Sequence, residues 1–239
     1  MKGKNVLIVG GTGGIGSAVA REFAGSGAKV VIAGRNKSTA EEIAKSINEK
    51  GGDAYAIDVD VTNESSVTRM VEEVISGLGV IDVLVNAFGR GLILPFREIN
   101  SSDAKELIDV NVFGTFLVTQ TVLKHSSKDS PTNVIMFPGS MGKYVMKNAS
   151  VYCASKFAIQ GFTKALIEEL RRDNVKFTLF YLGGVDTPFW DDDRVSMRVK
   201  KEMMLNPKDV ARSVLSAVMA PGASVVNELV IQPESHQLV

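Results

Sequence analysis

The sequence has little of what marks a disulfide scaffold, a nucleic-acid binder or a membrane protein. Cys153 is the only cysteine, so no internal disulfide can form, which is compatible with a reducing compartment. The 27 Lys and Arg residues are balanced by 27 Asp and Glu residues, unlike the one-sided positive charge of a typical nucleic-acid binder. The apolar run at residues 6–9 is too short to cross a membrane, and no small-residue cleavage site follows it. We therefore expect a cytoplasmic protein whose partners are small molecules or protein surfaces, with no nucleic acid, membrane or metal among them.

Internal repeats, low-complexity tracts and Ser- or Pro-rich linkers are also lacking, so the sequence offers no domain boundary. An apolar content of 45% is enough to build a sizeable core in a chain of 239 residues. We expect a single domain over residues 1–239.

Short runs rich in β-branched residues alternate with longer segments of helical periodicity. This alternation is typical of βαβ units in a parallel sheet. It predicts an α/β fold with a doubly wound, Rossmann-like parallel sheet of about seven strands and helices on both faces. The predicted strands are residues 5–9, 29–33, 54–58, 83–86, 133–137, 176–181 and 229–232.

Two helix starts carry capping signals. Ser38 with Glu41 fits a capping box, in which the two side chains bond to each other's backbone N–H groups. Asn206 followed by Pro207 places a cap before a proline at the first helical position.

Residues 107–123 form a helical segment that is apolar on more than the one face a sheet can cover. We expect its outer face to meet another subunit, together with a helix at residues 150–172 that carries Phe157, Phe162 and Leu166. The sequence thus predicts a homodimer or homotetramer through helices near residues 103–125 and 150–172. A deeply buried helix in a monomer is the alternative that stays open.

The first predicted strand runs directly into a glycine-rich turn and then into a helix. A dinucleotide pyrophosphate must approach backbone N–H groups at such a helix N-terminus, where a β-carbon would block it. Two overlapping patterns fit, G-x-G-x-x-G and G-x-x-x-G-x-G, and the alternative is a plain tight turn. The run consists of Gly10, Gly11, Thr12, Gly13, Gly14, Ile15 and Gly16.

The end of the second predicted strand bears on which cofactor is bound. A carboxylate there would bind the adenosine ribose 2′-hydroxyl and repel a 2′-phosphate. The chain instead has Gly34, Arg35, Asn36 and Lys37, and a guanidinium suits a phosphate. NADP(H) is therefore favoured over NAD(H), and the alternative is that Arg35 is a solvated loop cation.

Tyr152 and Lys156 lie four apart at the start of a helical pattern, so they project from one face. Tyrosine has a pKa of about 10, and acid/base work near neutrality needs that pKa lowered by ~2–3, or about 3–4 kcal/mol. A lysine ammonium within a few ångströms, in a partly desolvated pocket beside an oxidised nicotinamide, can supply this. The alternative is an ordinary helix surface, where most Tyr/Lys pairs at this spacing occur.

Several further motifs occur in order, and with them the sequence resembles the short-chain dehydrogenase/reductase family over essentially its whole length. Besides the glycine run and the tyrosine-lysine pair, these are Asp60-Val61, Asn86-Ala87-Phe88-Gly89, Asn111, Ser140 and Thr187-Pro188. The resemblance implies an NAD(P)-dependent oxidoreductase that acts on CH–OH groups.

The resemblance also implies a role for each candidate residue. Tyr152 would be the general acid/base, and Lys156 would bind the nicotinamide ribose and lower the tyrosine pKa. Ser140 would hydrogen-bond the substrate oxygen, and Asn111 would hold a water in a proton relay. The implied cofactor-binding residues are Gly10, Thr12, Gly13, Gly14, Ile15, Gly16, Arg35, Asn36, Asp60, Val61, Asn86, Ala87, Gly89, Tyr152, Lys156, Val185 and Thr187.

Four of these assignments have a purely structural alternative. Ser140 could simply close a turn, and Asn111 could be a polar residue that kinks an apolar helix. Asp60 could cap the helix that begins near Ser65, and Thr187 could belong to a plain turn.

Two departures from the family pattern leave a second function class open. Ala87 and Phe88 replace the usual Asn-Ala, which removes a polar side chain that supports the central strand. Ser140 precedes Tyr152 by twelve positions, one fewer than is common in the family, so the loop at residues 141–150 is shortened. The alternative to a reductase is a catalytically weak, NADP(H)-binding regulator or scaffold that retains the fold.

Residues 189–205 correspond to the family's substrate-covering segment. Phe189, Trp190 and Met197 suggest a hydrophobic ketone or alcohol, or a 3-oxoacyl thioester, as the substrate. Methionine and aromatic residues at such spacing are more often packing residues, so the identity of the substrate does not follow.

Overall fold

The computed structural model describes residues 1–127 and 130–235, which include a seven-stranded parallel sheet. The spatial order of the strands is β3-β2-β1-β4-β5-β6-β7. Every predicted strand is confirmed, and no end shifts by more than one residue. The strands are β1 (Asn5–Val9), β2 (Lys29–Gly34), β3 (Asp53–Asp58), β4 (Val83–Asn86), β5 (Thr132–Met136), β6 (Val175–Leu182) and β7 (Glu228–Ile231).

Helices cover both faces of this sheet. β1 is buried along its whole length, as expected of a parallel strand covered on both sides. Phe23 and Val214 pack on one face of the sheet, and Met70 and Val118 pack on the other. The predicted Rossmann-like, doubly wound architecture is therefore confirmed. The helices of the described residues are α1 (Gly14–Gly25), α2 (Lys37–Asn48), α3 (Glu64–Leu78), α4 (Ser101–Ile108), α5 (Gly114–Lys124), α6 (Ser150–Glu169) and α7 (Pro207–Val218).

One of the two predicted helix caps is confirmed and the other is wrong. Asn206 caps α7, since its side chain accepts a hydrogen bond from the N–H of Lys208 at 2.9 Å. Ser38, however, lies inside the first turn of α2, and the cap is Asn36, which accepts from the N–H of Thr39 at 3.2 Å. The chain leaves β2 at Gly34 and turns into α2 within two residues, so the cap comes earlier than the capping box placed it.

The long apolar helix predicted at residues 107–123 is interrupted. A π-helical turn at Asp109–Phe113 separates α4 from α5. By length and composition alone, residues 101–124 could cross a membrane, but half of the most apolar stretch is buried inside the protein, as in the core helix of a soluble protein. Phe113 and Phe116 are exposed on the outer side, with ring centroids 6.0 Å apart. The second apolar helix, α6, ends at Glu169, three residues before its predicted end.

Candidate active site

The loops at the carboxyl ends of the strands carry most of the predicted site residues. In an open parallel sheet, ligands bind at this edge, where the strand order reverses. Here β1 lies between β2 and β4. The chain continues from β1 to β2 on one side and from β4 to β5 on the opposite side, so the strand order reverses between β1 and β4. The crevice above β1 and β4 is therefore the expected binding position.

The glycine turn after β1 has no room for side chains. Gly10 has a φ of +83°, and a β-carbon there would lie 2.5 Å from the backbone nitrogen of Phe88. A β-carbon on Gly16 would clash with the carbonyl oxygen of Gly10, and one on Gly14 would lie 2.5 Å from Cγ2 of Thr187. Glycine is therefore required at these positions, because the neighbouring chain approaches too closely for any larger residue.

α1 starts directly from this turn. Gly13 is its N-cap, and the described residues provide no side-chain cap and no acidic residue in the first turn. The first backbone N–H groups of α1 thus lack a side-chain acceptor, and the helix dipole adds positive potential there. A pyrophosphate fits this set of donors, so the geometry agrees with the predicted cradle.

The end of β2 presents a cation and a hydroxyl group. Arg35 is exposed there, and the hydroxyl of Thr12 comes close, since a β-carbon on Gly34 would lie 2.8 Å from Oγ1 of Thr12. The side-chain oxygen of Asn36 is already engaged as the cap of α2. Arg35 and the hydroxyl of Thr12 thus both lie at the carboxyl end of β2.

Asp60 follows β3 and forms a local turn. Its carboxylate accepts hydrogen bonds from the hydroxyl and the backbone N–H of Thr62 at 2.7 and 2.9 Å. These bonds lower the pKa of Asp60, and the positive charge of Arg35 lowers it further. The cap of α3 is Asn63, which accepts from the N–H of Ser66 at 2.9 Å, so the capping alternative for Asp60 is wrong.

Tyr152 and Lys156 project together from the first turns of α6. Nζ of Lys156 lies 5.5 Å from the ring centroid of Tyr152 and donates a hydrogen bond to the carbonyl of Phe137 at 3.0 Å. Lys156 is 7% exposed, and burial lowers the pKa of its ammonium group to about 8.

For the phenol of Tyr152, burial acts in the direction opposite to the lowering expected beside Lys156 and an oxidised nicotinamide. Burial raises its pKa, and Nζ of Lys156 lies over the ring, 5.5 Å from its centroid. The polypeptide alone therefore does not lower the pKa of this phenol. A lowering would require the ammonium of Lys156 to be close to the phenol oxygen.

Asn111 lies in the π turn between α4 and α5 and is buried. Its side-chain oxygen accepts from the N–H of Arg90 at 2.7 Å, and its amide donates to the carbonyl of Arg90 at 3.0 Å and to Oγ of Ser155 at 3.1 Å. A β-carbon on Gly89 would lie 3.3 Å from Oδ1 of Asn111 and 3.7 Å from Nζ of Lys156. Asn111 thus interrupts the helix and also joins the loop after β4 to α6.

Ser140 is buried in a short helical turn directly after β5. The carbonyl of Ser140, not its hydroxyl, closes the turn by accepting from the N–H groups of Lys143 and Tyr144, both at 2.9 Å. A β-carbon on Gly142 would lie 3.3 Å from the carbonyl oxygen of Lys156. The serine turn therefore packs directly against α6.

A family model described as short chain dehydrogenase matches residues 4–197 of this chain. The chain belongs to the short-chain dehydrogenase/reductase family. It is thus an oxidoreductase, in agreement with the resemblance carried by its motifs.

Relatives and solved structures extend over nearly the whole chain. An uncharacterized oxidoreductase of Staphylococcus epidermidis is 34% identical over 233 residues, covering 98% of both chains. One from Staphylococcus aureus is 31% identical over 230 residues, covering 96% of this chain and 97% of the other. A variant of actinorhodin polyketide ketoreductase with NADPH is 26% identical, with a TM-score of 0.86 and 95% of both chains covered. The fold alone is shared with an alcohol dehydrogenase from the archaeon Thermococcus sibiricus complexed with 5-hydroxy-NADP, at 24% identity, a TM-score of 0.90 and 99% coverage of both chains.

The side chain of Asn86, at the end of β4, is only partly satisfied by hydrogen bonds. The amide of Asn86 donates to Oγ1 of Thr119 at 3.1 Å and to Sδ of Met136 at 3.3 Å. Its side-chain oxygen is buried, and no donor within the described residues reaches it. Phe88 packs against the hydrophobic core on the α3 and α5 side of the sheet. Ala87, which replaces the family's second asparagine, packs against the core on the α1 and α7 side.

The segment at residues 189–205 surrounds Tyr152 with apolar groups. The ring of Phe189 lies 5.8 Å from the ring of Tyr152 and 5.1 Å from that of Trp190. Nε1 of Trp190 donates to the carbonyl of Val185 at 2.8 Å, which fixes the start of the segment. The apolar cluster around Tyr152 also contains Ile93, Met141, Met146, Ala149, Cys153 and Val195.

Arg90 is not among the residues predicted from the sequence, although it lies at one end of an ion-pair network. Nη2 of Arg90 is 3.0 Å from Oε1 of Glu106, whose Oε2 is 3.0 Å from Nη1 of Arg194. Arg194 also pairs with Asp192 at 2.9 Å. The available signal was an arginine directly after Gly89, within a loop expected to line the cofactor.

Proposed function

We propose that this protein is an NADP(H)-dependent oxidoreductase that interconverts a carbonyl and an alcohol, with Tyr152 as the general acid/base. The observation that carries the proposal is the convergence of Tyr152 and Lys156 on α6 with Gly89 from the loop after β4 and Asn111 from the π turn. When bound, the nicotinamide supplies or accepts the hydride. The polypeptide supplies the proton, the orientation of the substrate and the exclusion of water.

We assign roles to the remaining residues from the family resemblance and from their positions. The N–H groups at the start of α1 bind the pyrophosphate, with Thr187 closing the other side of the glycine turn. The hydroxyl of Ser140 orients the substrate oxygen toward the phenol of Tyr152, which exchanges a proton with it. Lys156 holds the nicotinamide ribose, and its ammonium lowers the pKa of the phenol when it turns toward that oxygen. Asn111 fixes the loop after β4 so that these groups stay aligned.

The preference for NADP(H) over NAD(H) rests on Arg35. It follows β2 where a carboxylate would favour NAD(H), and its guanidinium offers a planar set of donors to a phosphate. The solved ketoreductase and alcohol dehydrogenase, described with NADPH and a modified NADP, support this choice.

The substrate we propose is a hydrophobic ketone or alcohol, or a 3-oxoacyl thioester. The cluster formed by Ile93, Met141, Phe189 and Trp190 offers an apolar wall beside Tyr152. An apolar wall favours an apolar substrate body, while the phenol supplies the polar contact that fixes its orientation.

We also propose that the protein is a homo-oligomer, a dimer or a tetramer, assembled through α4–α5 and α6. Phe113, Phe116 and Phe157 are exposed on these helices, and covering them would remove apolar surface from water.

The test is the steady-state oxidation of NADPH over a panel of ketones and acyl thioesters by the wild type and by Tyr152→Phe. We expect kcat/KM to fall by roughly 10²–10⁴ in the variant, because the proton donor is lost, while NADPH binding is retained. Tyr55→Phe is the matched control, since Tyr55 is exposed on β3 at 48% and its loss should leave turnover unchanged.

Two outcomes would contradict the proposal. Turnover that survives in Tyr152→Phe would remove the proposed acid. Tight NADPH binding without turnover of any compound would favour the alternative, a regulator that keeps the fold, for which the rearranged bonding at Asn86 is the supporting observation.

A further inference from the structure

We infer that Arg90 is a specificity residue for the substrate, and that its guanidinium binds a carboxylate that the substrate carries near its carbonyl group. This inference rests on the proposed function and deepens it, because it narrows the substrate to an oxo acid, or the corresponding hydroxy acid, with an apolar body. The apolar wall beside Tyr152 then receives the rest of the substrate.

Arg90 lies between two glycines that face the proposed reaction centre. A β-carbon on Gly89 would lie 3.7 Å from Nζ of Lys156. A β-carbon on Gly91 would lie 2.6 Å from the ring of Phe189, which in turn lies 5.8 Å from the ring of the proposed catalytic tyrosine. Arg90 therefore belongs to the end of the crevice where the nicotinamide and the substrate meet.

The backbone of Arg90 is held in place. Asn111 binds both its N–H and its carbonyl, at 2.7 and 3.0 Å. Three residues further on, the N–H of Ile93 donates to the carbonyl of Arg194 at 2.8 Å, which joins this loop to the 189–205 segment. A guanidinium on a fixed backbone loses less conformational freedom when it binds an anion than one on a mobile loop.

The guanidinium of Arg90 has bonding capacity that the protein leaves unused. Nη2 lies 3.0 Å from Oε1 of Glu106, and the side chain is 19% exposed. Nε is buried, and no acceptor among residues 1–127 and 130–235 lies within hydrogen-bond distance of it. A buried donor without an acceptor costs free energy, which an acceptor oxygen of the substrate would recover.

The positive charge of Arg90 is not fully compensated by its surroundings. Burial lowers the pKa of Arg90, the positive charge of Arg35 lowers it further, and the attraction of Glu106 does not make up the difference. Asp192 is engaged elsewhere, since it accepts side-chain hydrogen bonds from Arg194 at 3.0 and 2.9 Å. A carboxylate fits this need, because it brings one negative charge and two acceptor oxygens to a planar guanidinium.

The competing explanation is that Arg90 only braces the loop after β4 against α4. Removal of Glu106, its partner in that brace, should then impair the enzyme in the same way as removal of Arg90. If Arg90 binds the substrate, Glu106 instead competes with the substrate carboxylate for the guanidinium, and its removal should improve the binding of an acid. The two explanations therefore predict opposite signs for the same substitution.

The experiment compares acids with their esters. Oxidation of NADPH by the full chain is measured with 2-oxooctanoate, 4-oxooctanoate and their methyl esters, because each ester keeps the carbonyl and the apolar chain but lacks the charge. In the wild type, kcat/KM should be higher for an acid than for its ester. In Arg90→Gln this ratio should fall by roughly 10- to 100-fold, through KM of the acid, because one charged hydrogen-bonding partner is removed. The esters should be turned over nearly as before.

Three further variants separate recognition from bracing. Arg90→Lys should lose less than Arg90→Gln, since it keeps the charge but not the planar donor set, and it serves as the folded variant if Arg90→Gln is unstable. Glu106→Gln should lower KM for the acid and leave the ester unchanged. Arg97→Gln is the matched control, because Arg97 is exposed in the same loop and its loss should leave the ratio of acid to ester unchanged.

The outcomes distinguish this inference from the proposed function. Equal losses for acid and ester in Arg90→Gln, a higher KM for the acid in Glu106→Gln, or turnover confined to uncharged ketones overturns the inference and leaves the hydride-transfer proposal standing. A wild type that binds NADPH but turns over no carbonyl compound, acids included, would instead overturn the proposed function.

Discussion

The two sides of the crevice are built by different kinds of contact. On the side of β1, β2 and β4, backbone meets backbone: Gly10 lies against the segment after β4, and Gly16 lies against Gly10. On the other side, the 189–205 segment has two short backbone bridges, at Val195 and Leu205, and is otherwise held by side chains, through the rings of Phe189 and Trp190 and the ion pairs of Arg194. Close backbone contacts demand one residue type, whereas side-chain contacts can be made by many combinations. The first side therefore leaves a recognisable pattern in the sequence, and the second does not.

The largest expected effect is on the backbone side. Gly16→Ala should lower the free energy of unfolding by about 3 kcal/mol, because its β-carbon would overlap the carbonyl of Gly10 and neither backbone can move freely. It should also weaken NADPH binding, since the displaced turn would no longer aim its N–H groups at the pyrophosphate. Urea denaturation and fluorescence titration measure the two effects.

Gly25→Ala is the control for this comparison, because Gly25 lies in the same helix and a β-carbon there would meet nothing within 4 Å. It should be neutral or stabilising by up to about 1 kcal/mol, since alanine favours the helix. Equal destabilisation by the two substitutions would show that the close contact between Gly16 and the carbonyl of Gly10 does not restrict position 16 to glycine.

The strands and the glycine turn could be predicted because their physical requirements act on single positions. A strand buried on both faces must be a short continuous apolar run, and residues 5–9 show this. The N-cap of α2 was harder to predict. Asparagine and serine have similar preference for the N-cap position, and the sequence has both, at Asn36 and Ser38. The choice between them depended on how soon the chain turns after β2, which no local pattern specifies.

The second prediction concerns Lys156, whose folded-state pKa of about 8 lies below the unfolded value of 10.5. Between these values the unfolded chain binds more protons than the folded chain, so the wild type gains stability as the pH rises from 8 to 10.5. Lys156→Met lacks this gain, so the stability of the wild type relative to the variant should rise by about 2–3 kcal/mol over that range. Chemical denaturation of both proteins across the pH series measures it.

Lys143→Met provides the opposite case. A hydrogen bond to Glu228 raises the pKa of Lys143, so the wild type should show no gain relative to this variant over the same pH range. A difference between wild type and Lys156→Met that stays constant with pH would mean that the lysine is not desolvated in the folded protein.

The parts of the site that could not be predicted depend on environment rather than on residue order. The spacing of Tyr152 and Lys156 predicts that they share a helix face, but the direction of their pKa changes depends on burial and on the bond from Lys156 to Phe137. Arg90 was missed for the same reason, since its importance comes from Asn111 and Glu106, which are distant in sequence. The π turn at Asn111 was missed likewise. The sequence predicts a continuous helix there, whereas the side chain of Asn111 bonds to Arg90 and Ser155, which are distant in sequence.

The smallest expected effect is on the side-chain side of the crevice. Arg194→Gln removes ion pairs to Asp192 and Glu106 that are partly exposed, so the free energy of global unfolding should fall by no more than about 1 kcal/mol. Its effect should instead be local, because these pairs connect the 189–205 segment to α4. Amide hydrogen exchange in that segment should become faster while exchange in β1 stays unchanged.

Lys201→Gln tests whether this local effect is specific. Lys201 pairs with Asp191 inside the same segment, so its loss cuts no connection to the rest of the protein and should leave exchange nearly unchanged. Arg194→Gln could instead speed amide exchange in β1 as much as in residues 189–205. The segment would then belong to the same cooperative unit as the sheet. The contrast between a side built on close backbone contacts at glycines and a side held mainly by side chains would then describe the construction of the crevice, and not the opening of its two sides.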